Sequence, residues 1–219
     1  MAQFGKGTIS NRWLGTLMLG TGVLMIAVML HHPDGVDGNE ATSGIMRWAH
    51  GALMFMIILN SYAVWRFTDQ VKSRESELML GSIFYWVGIA AFIGGTLVSG
   101  FVQSGVSDLY AHETLTHDAF EALNRFSAIL NQSLISLGLL SFGASGLIWT
   151  IPLISSDSST RFVGGTSFIV GACLVTYVLL GLALSVFTMT ALTGLIVLWH
   201  GSIAIWFLQN KKLKELSYG

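Results

Sequence analysis

Three of the chain's six histidines, His31, His32 and His50, fall in one stretch, HHPDGVDGNEATSGIMRWAHG (residues 31–51), which runs from an acidic polar segment into an apolar one. Imidazole titrates near neutrality and, when neutral, is the commonest ligand for zinc, copper and iron. These residues therefore set the first chemistries to weigh. Arg47 precedes His50 by three residues, one helical turn away on the same face. The other histidines are His112 and His117, in a second polar segment, and His200, deep in an apolar run.

Two cofactor arrangements follow. His31, His32, His112 and His117, with Asp34, Glu113 or Asp118, form a candidate transition-metal site. HETLTH (112–117) approaches the zinc-protease pattern, but its second histidine comes five residues after the first instead of four, and the shared helical face is lost. That excludes a zinc protease. Alternatively, His50 and His200 on facing helices are candidate axial ligands for haem b, with Arg47 and Arg125 as anchors for its propionates. Against this pair, His50 lies 16 residues before Arg66 and His200 lies 11 before Lys211, which offsets them in depth by about 7–8 Å. Gly51, directly after His50, leaves room for a planar group. Serine, cysteine or lysine nucleophiles with a base in register are not apparent, which disfavours hydrolase chemistry and leaves catalysis of any other kind undecided.

The surrounding sequence fixes where such sites must sit. Of 219 residues, 53% are apolar and 11% charged, and the mean hydropathy is +0.66, which takes the chain out of the range of soluble domains. Six stretches, 13–30, 45–65, 78–102, 126–151, 162–184 and 188–208, reach the ~20 residues that a helix needs to cross a bilayer. The expected fold is all-α: one polytopic domain over residues 1–219, a bundle of six transmembrane helices. The first run is too long for a signal peptide and lacks a small-x-small cleavage site, so it reads as a retained span. Lys6, Arg12, Arg66, Lys72, Arg74, Arg161, Lys211, Lys212 and Lys214 fall on one side of this arrangement, and only Arg47 and Arg125 on the other, where the loops are acidic. By the positive-inside rule both termini are cytoplasmic. Pro33 and Pro152, the only prolines, fall just past the first and fourth spans, where a helix is expected to stop. The single cysteine, Cys173, rules out an internal disulfide, and the net charge of −1 implies no nucleic-acid partner.

Polar residues at membrane depth are costly and so mark either function or interhelical hydrogen bonding. Helical spacing groups Arg47, His50, Met54, Ile58 and Ser61 on the second span, with Asn60 deeper. On the fourth it groups Glu121, Arg125, Ala128, Gln132 and Ser136, flanked by Asn124 and Asn131, and on the sixth Met189, Thr193, Val197, His200 and Ala204. Burying these stripes against one another predicts one polar cavity open to the outer face, lined by Arg47, His50, Arg125 and Gln132, with Glu121, Asn124 and Asn131. No broken helix and no inverted repeat is evident.

LNQSL (130–134), SGLIW (145–149), WHG (199–201) through Trp206, and RWAHG (47–51) resemble segments of small multi-pass bacterial inner-membrane proteins of unassigned function. A helix opening with a histidine near the outer face is also similar to the haem-binding bundles of haem A synthase and cytochrome b types, although the multiple paired histidines of those families are missing here. The resemblance implies an inner-membrane location, the lipid bilayer as surroundings, and other membrane subunits or further copies of the chain as partners. Three functions stay open: a non-catalytic bundle or accessory subunit, a haem- or metal-binding protein, and a small-solute transporter.

The charge sorting gives the first testable outcome. A reporter fused after Gly219 is expected to be active in its cytoplasmic form, and activity confined to a periplasm-dependent reporter would reverse every assignment of sidedness.

Overall fold

The computed structural model describes residues 10–31, 40–71 and 75–209, and its regular elements are all helical. They are α1 (Asn11–Leu30), α2 (Glu40–Gln70), α3 (Glu75–Leu97), a π-helical segment (Val98–Gln103), α4 (Ser104–Ala111), α5 (His117–Ile154), α6 (Ser158–Leu179) and α7 (Val186–Gln209). The stretch from α3 through the π segment into α4 forms one span, so six helices among the described residues are long and apolar enough to cross a membrane.

Local chemistry starts these helices where side chains can take up the first backbone N–H groups. Ser10 accepts from Trp13 N at the head of α1, and Thr116 accepts from Ala119 N at the head of α5. Asp157 accepts from the N–H groups of Ser159 and Thr160 at 3.0 and 2.8 Å at the head of α6. α5 begins at His117 instead of 126 because its first turns are polar, and hydropathy does not register a polar helix. It also runs through Pro152 to Ile154, where a stop was expected. The ring's fixed φ suits a helix, and Pro152 forgoes only one N–H bond in the last turn. Pro33 lies outside the described residues. α6 and α7 are separated by a tight hairpin in which Gly181 takes φ +62°, a left-handed turn that glycine adopts without strain.

The helices close into a ring in which α1 packs on α2 and α7, α3 packs on α2 and α5, and α6 packs on α5 and α7. α1 begins and α7 finishes at the same end, called the terminal end here, since Gly15 faces Ala204 and Leu208. The opposite end is the distal end. The closest approach is between α5 and α6, where a Cβ on Gly146 would stand 2.7 Å from the Ser167 carbonyl and one on Gly171 2.8 Å from the Gly143 carbonyl. Small residues let membrane helices meet at this range.

Neither α3 nor α5 brings its backbone up to α7. Large rings span the gap. Trp149 lies 5.8 Å from Tyr85 and 5.5 Å from Trp199, and Phe142 lies 5.0 Å from Tyr85. Nearer the terminal end Phe67 packs edge-on against Trp206 at 5.0 Å. Trp149, Trp199, Phe67 and Phe207 are fully buried, and Trp149 donates its indole N–H to the Leu78 carbonyl at 3.1 Å. These rings close the bundle like a floor.

Two outcomes follow from this packing. Gly146→Val is expected to cost about 1–3 kcal/mol by overpacking, whereas Gly20→Ala, which meets nothing within 4 Å, should change stability by less than about 0.5 kcal/mol; denaturant unfolding in detergent micelles checks both. The Asp157 carboxyl is held below its ordinary value of 3.8 first by the Thr160 backbone N–H and then by the Ser159 hydroxyl. A depressed pKa stabilises the fold above the unfolded value, and that contribution is lost as pH falls through the folded one. Asp157→Ala should therefore cost about 1 kcal/mol at neutral pH, and the difference from wild type should shrink below pH ~4.

Candidate functional site

Distal to the ring floor the bundle interior is not filled. A cavity of about 420 Å³ lies there, lined by α1, α2, α3, the π segment, α5 and α7. Its apolar wall includes Met25, Met29, Leu53, Ile57, Phe92, Phe142 and Met189. Its polar groups are His50, Asn60, Thr96, Ser99, Gln103, Asn131, Gln132, Ser185, Thr193 and His200. No Asp, Glu, Lys or Arg lines it among the described residues.

Of the four candidate cofactor residues, His50 and His200 both line this cavity. Arg47 stands one turn distal to His50 and pairs with Asp108 of α4. Arg125 is exposed on the distal part of α5 and is outside the lining. Within the expected polar cavity, Asn131 and Gln132 are lining residues, whereas Glu121 and Asn124 sit nearer the start of α5, and Glu121 lies 3.3 Å from His117. Gln103, Thr96 and Ser99 join the lining from the third span, which the stripe argument had not drawn on.

The expected stripe on α2 is rotated. Its cavity face is His50, Leu53, Ile57 and Asn60, while Ile58 is 51% exposed. Asn60 is buried, accepting from the Thr21 hydroxyl at 3.1 Å and facing the Met25 sulfur at 3.7 Å. Asn131 places its Oδ1 against Gly95 without a hydrogen-bond partner.

The π segment fits α3 to His50. Gly100 lies so close to the His50 side chain that a Cβ there would collide with the His50 Cβ. A π turn inserts one extra residue into the helix and turns the following face, a device frequent at functional sites. Gly100, not Gly51, provides the room beside this histidine, since Gly51 faces Phe101. The third span bulges there but stays one continuous helix, Ser76–Ala111. His50 holds its Nδ1 2.8 Å from the Met46 carbonyl. A carbonyl only accepts, so Nδ1 carries the proton and Nε2 has the lone pair.

His200 is built in differently. It is 4% exposed, its Nε2 and the Tyr85 hydroxyl are 3.3 Å apart, and its ring lies 5.8 Å from Trp199 at 28°. Its Nδ1 is buried without a partner. An axial ligand must present a nitrogen to the metal; here one nitrogen is engaged by Tyr85 and the other is enclosed.

The described outer histidines are each engaged locally. His31 caps α1 with Nδ1 on the Ala27 carbonyl, His112 caps α4 with Nδ1 on the Asp108 carbonyl, and His117 meets Tyr110 and Glu121. His32 lies outside the described residues. Among the described residues no three His, Cys, Asp or Glu side chains are placed to hold a metal ion.

No family model matches the chain, and no curated protein or solved structure is detectably similar to it.

Gly100→Ala is expected to force His50 aside and to cost about 1–3 kcal/mol. Gly105→Ala, with nothing within 4 Å, should be close to neutral. Equal unfolding midpoints for the two variants would show that the π segment does not seat His50.

Proposed function

We propose that this chain is a six-span protein of a bacterial inner membrane with both termini cytoplasmic, and that it binds a small lipid-soluble molecule in its distal cavity without bond chemistry, as an accessory subunit of a membrane complex. The observation that carries the reading is the cavity itself: about 420 Å³, within the range of ligand sites (about 300–1,000 Å³), apolar in most of its wall and uncharged. Exposed Trp13 and Trp65 toward the terminal end and Trp48, 83% exposed, toward the distal end fit the aromatic belts of a spanning bundle. Helix α5, at 38 residues about 57 Å long, exceeds the ~30 Å hydrocarbon core, so its polar first turns project beyond the bilayer.

Chemistry is disfavoured by the lining. The Thr96 hydroxyl donates to its own helix at the Phe92 carbonyl, 2.7 Å away, and is not poised as a nucleophile. The haem reading needs a nitrogen that His200 does not present. A carrier reading would call for a discontinuous span and a second exit; the third span is continuous through its π segment, and the ring floor lies across the other end.

Protein purified in mild detergent should release a stoichiometric organic molecule on solvent extraction and show no Soret absorbance. Ala128→Trp, which places a large ring at an exposed position on the cavity rim, should abolish that recovery. A Soret band that disappears in His50→Ala would overturn the reading in favour of haem.

A further inference from the structure

We propose that the distal cavity takes the hydrocarbon chain of a single-chain amphiphile whose anionic head stays outside the mouth, at Arg125. This rests on the reading of the cavity as a binding site and goes on to name the chemistry and the pose of its occupant.

The mouth is set by where α6 stops. Gly143 meets Gly171 and Gly146 meets Ser167 across the antiparallel pair, which puts Leu179, the last residue of α6, level with about residue 135 of α5. Beyond that level α5 continues distally for about 18 residues, ~27 Å. The rim residues Ala128, Gln132 and Ser185, all exposed, lie at this step, over the α6–α7 hairpin. Leu179, Leu180 and Phe187 around the hairpin are 65–83% exposed, so the rim lies among lipid chains. Arg125 directly precedes the apolar run 126–151, one turn distal to Ala128, where head groups begin. An amphiphile resting in the distal leaflet therefore meets the mouth with its chain and Arg125 with its head.

The interior suits a chain. On α5 the lining runs from Ala128 to Phe142, about 21 Å at the helical rise, and about 420 Å³ over that length averages about 20 Å² in section, the girth of one alkyl chain. The deep polar groups are already engaged by the protein: Asn60 accepts from Thr21, the Thr96 hydroxyl donates to the Phe92 carbonyl, and His200 meets Tyr85. The unpartnered Asn131 Oδ1 and His200 Nδ1 are themselves buried. A chain entering here displaces few hydrogen bonds to water, the cost that would otherwise oppose it.

The head is kept out of this interior and held at its rim. With no Asp, Glu, Lys or Arg on the lining among the described residues, a carboxylate or phosphate inside would have no counter-ion. Arg125 is exposed and has no ion pair among the described residues. Arg47 is taken by Asp108, and Glu121, one turn further along α5, lies against His117. Gly95 meets Asn131 and Ile135, so Gln103, eight residues distal to it, is level with about residues 123–127 of α5. A carboxamide thus joins the guanidinium at the height of the head, where charge-assisted hydrogen bonds form.

The experiment titrates full-length protein in nanodiscs, at a pH where fatty acids are ionised, with a diazirine-bearing palmitate and with the matching hexadecanol. After photolysis, intact mass counts adducts per chain and peptide mapping places them. Palmitate should saturate at one adduct per chain, on cavity-lining peptides, at a lower mole fraction than hexadecanol. Arg125→Gln should weaken palmitate about fivefold, the order of one exposed charge pair, and leave hexadecanol unchanged. Ala128→Trp should abolish saturable adducts of both. Unlabelled palmitate and 1-palmitoyl lysophosphatidylglycerol then compete against the probe, and the stronger competitor identifies the head as carboxylate or phosphodiester. Equal midpoints for the two probes in the wild type, both blocked by Ala128→Trp, would overturn the anionic head and leave the cavity reading standing. Palmitate adducts that neither competitor nor Ala128→Trp reduces would overturn the pose. Absence of saturable adducts of either probe, with no organic molecule recovered from the wild type, would overturn both readings.

Discussion

The packing of rings across the middle of the bundle is the constraint from which the other features follow. α3 and α5 do not reach α7 with their backbones, so the interior between them is as wide as the side chains that fill it. Where those side chains are Tyr85, Phe142, Trp149 and Trp199, the gap is closed by stacked and edge-on rings at 5.0–6.4 Å. Aromatic pairs at such separations add roughly 0.5–1.5 kcal/mol beyond their buried area, and Trp149 is further fixed by its bond to the Leu78 carbonyl. About two to four turns further along, the same helices carry Thr96, Ser99, Ala128 and Thr193, which are too small to meet. The cavity is the space that those small side chains leave.

Seen this way, the two buried histidines have different work. His200 belongs to the floor, sandwiched by Trp199 and Tyr85 with its one resolved hydrogen bond to the phenol. His50 belongs to the cavity, seated by Gly100 and oriented by the Met46 carbonyl. Because α2 is tied to α4 through Arg47 and Asp108 just distal to it, the position of His50 is set jointly by α2 and by the π segment. A histidine fixed from two helices is a directional group and not merely a polar one, as specificity in a mostly apolar pocket requires.

Much of this fold was legible in the sequence. Hydropathy and length located the six spans, though the third and fourth each run nine residues further at their distal ends, and period-3.6 spacing put His50, Ala128, Gln132, Met189, Thr193 and His200 on the cavity side. The rest depended on information that spacing does not carry. The rotation of α2, which turns Leu53, Ile57 and Asn60 inward and Ile58 outward, is set by neighbours and not by its own pattern, since its outer face is equally apolar. The π segment is invisible to periodicity because VSGFVQ reads as an ordinary helix until Gly100 must admit His50. The partner of Arg47 lies sixty-one positions away at Asp108, a pairing that no local signal announces. Glu121, Asn124 and Arg125 share helical spacing with Ala128 and Gln132, but spacing gives a face and not a depth; in the first turns of the long α5 they are carried beyond the cavity.

The central claim is that the distal cavity opens past Ala128, Gln132 and Ser185 and is sealed from the terminal end by the rings, and single-cysteine reactivity tests it most directly. In a Cys173→Ser background, Thr96→Cys inside the cavity and Ser145→Cys, which replaces a side chain that is 0% exposed beside the floor, are treated with a lipid-soluble maleimide and, separately, with a water-soluble one applied from each side of the membrane. The account predicts that Thr96→Cys reacts with the lipid-soluble reagent, that adding Ala128→Trp blocks it, and that Ser145→Cys stays unreactive. Labelling of Thr96→Cys by the water-soluble reagent from the terminal end, or at an unchanged rate with Ala128→Trp present, would contradict it.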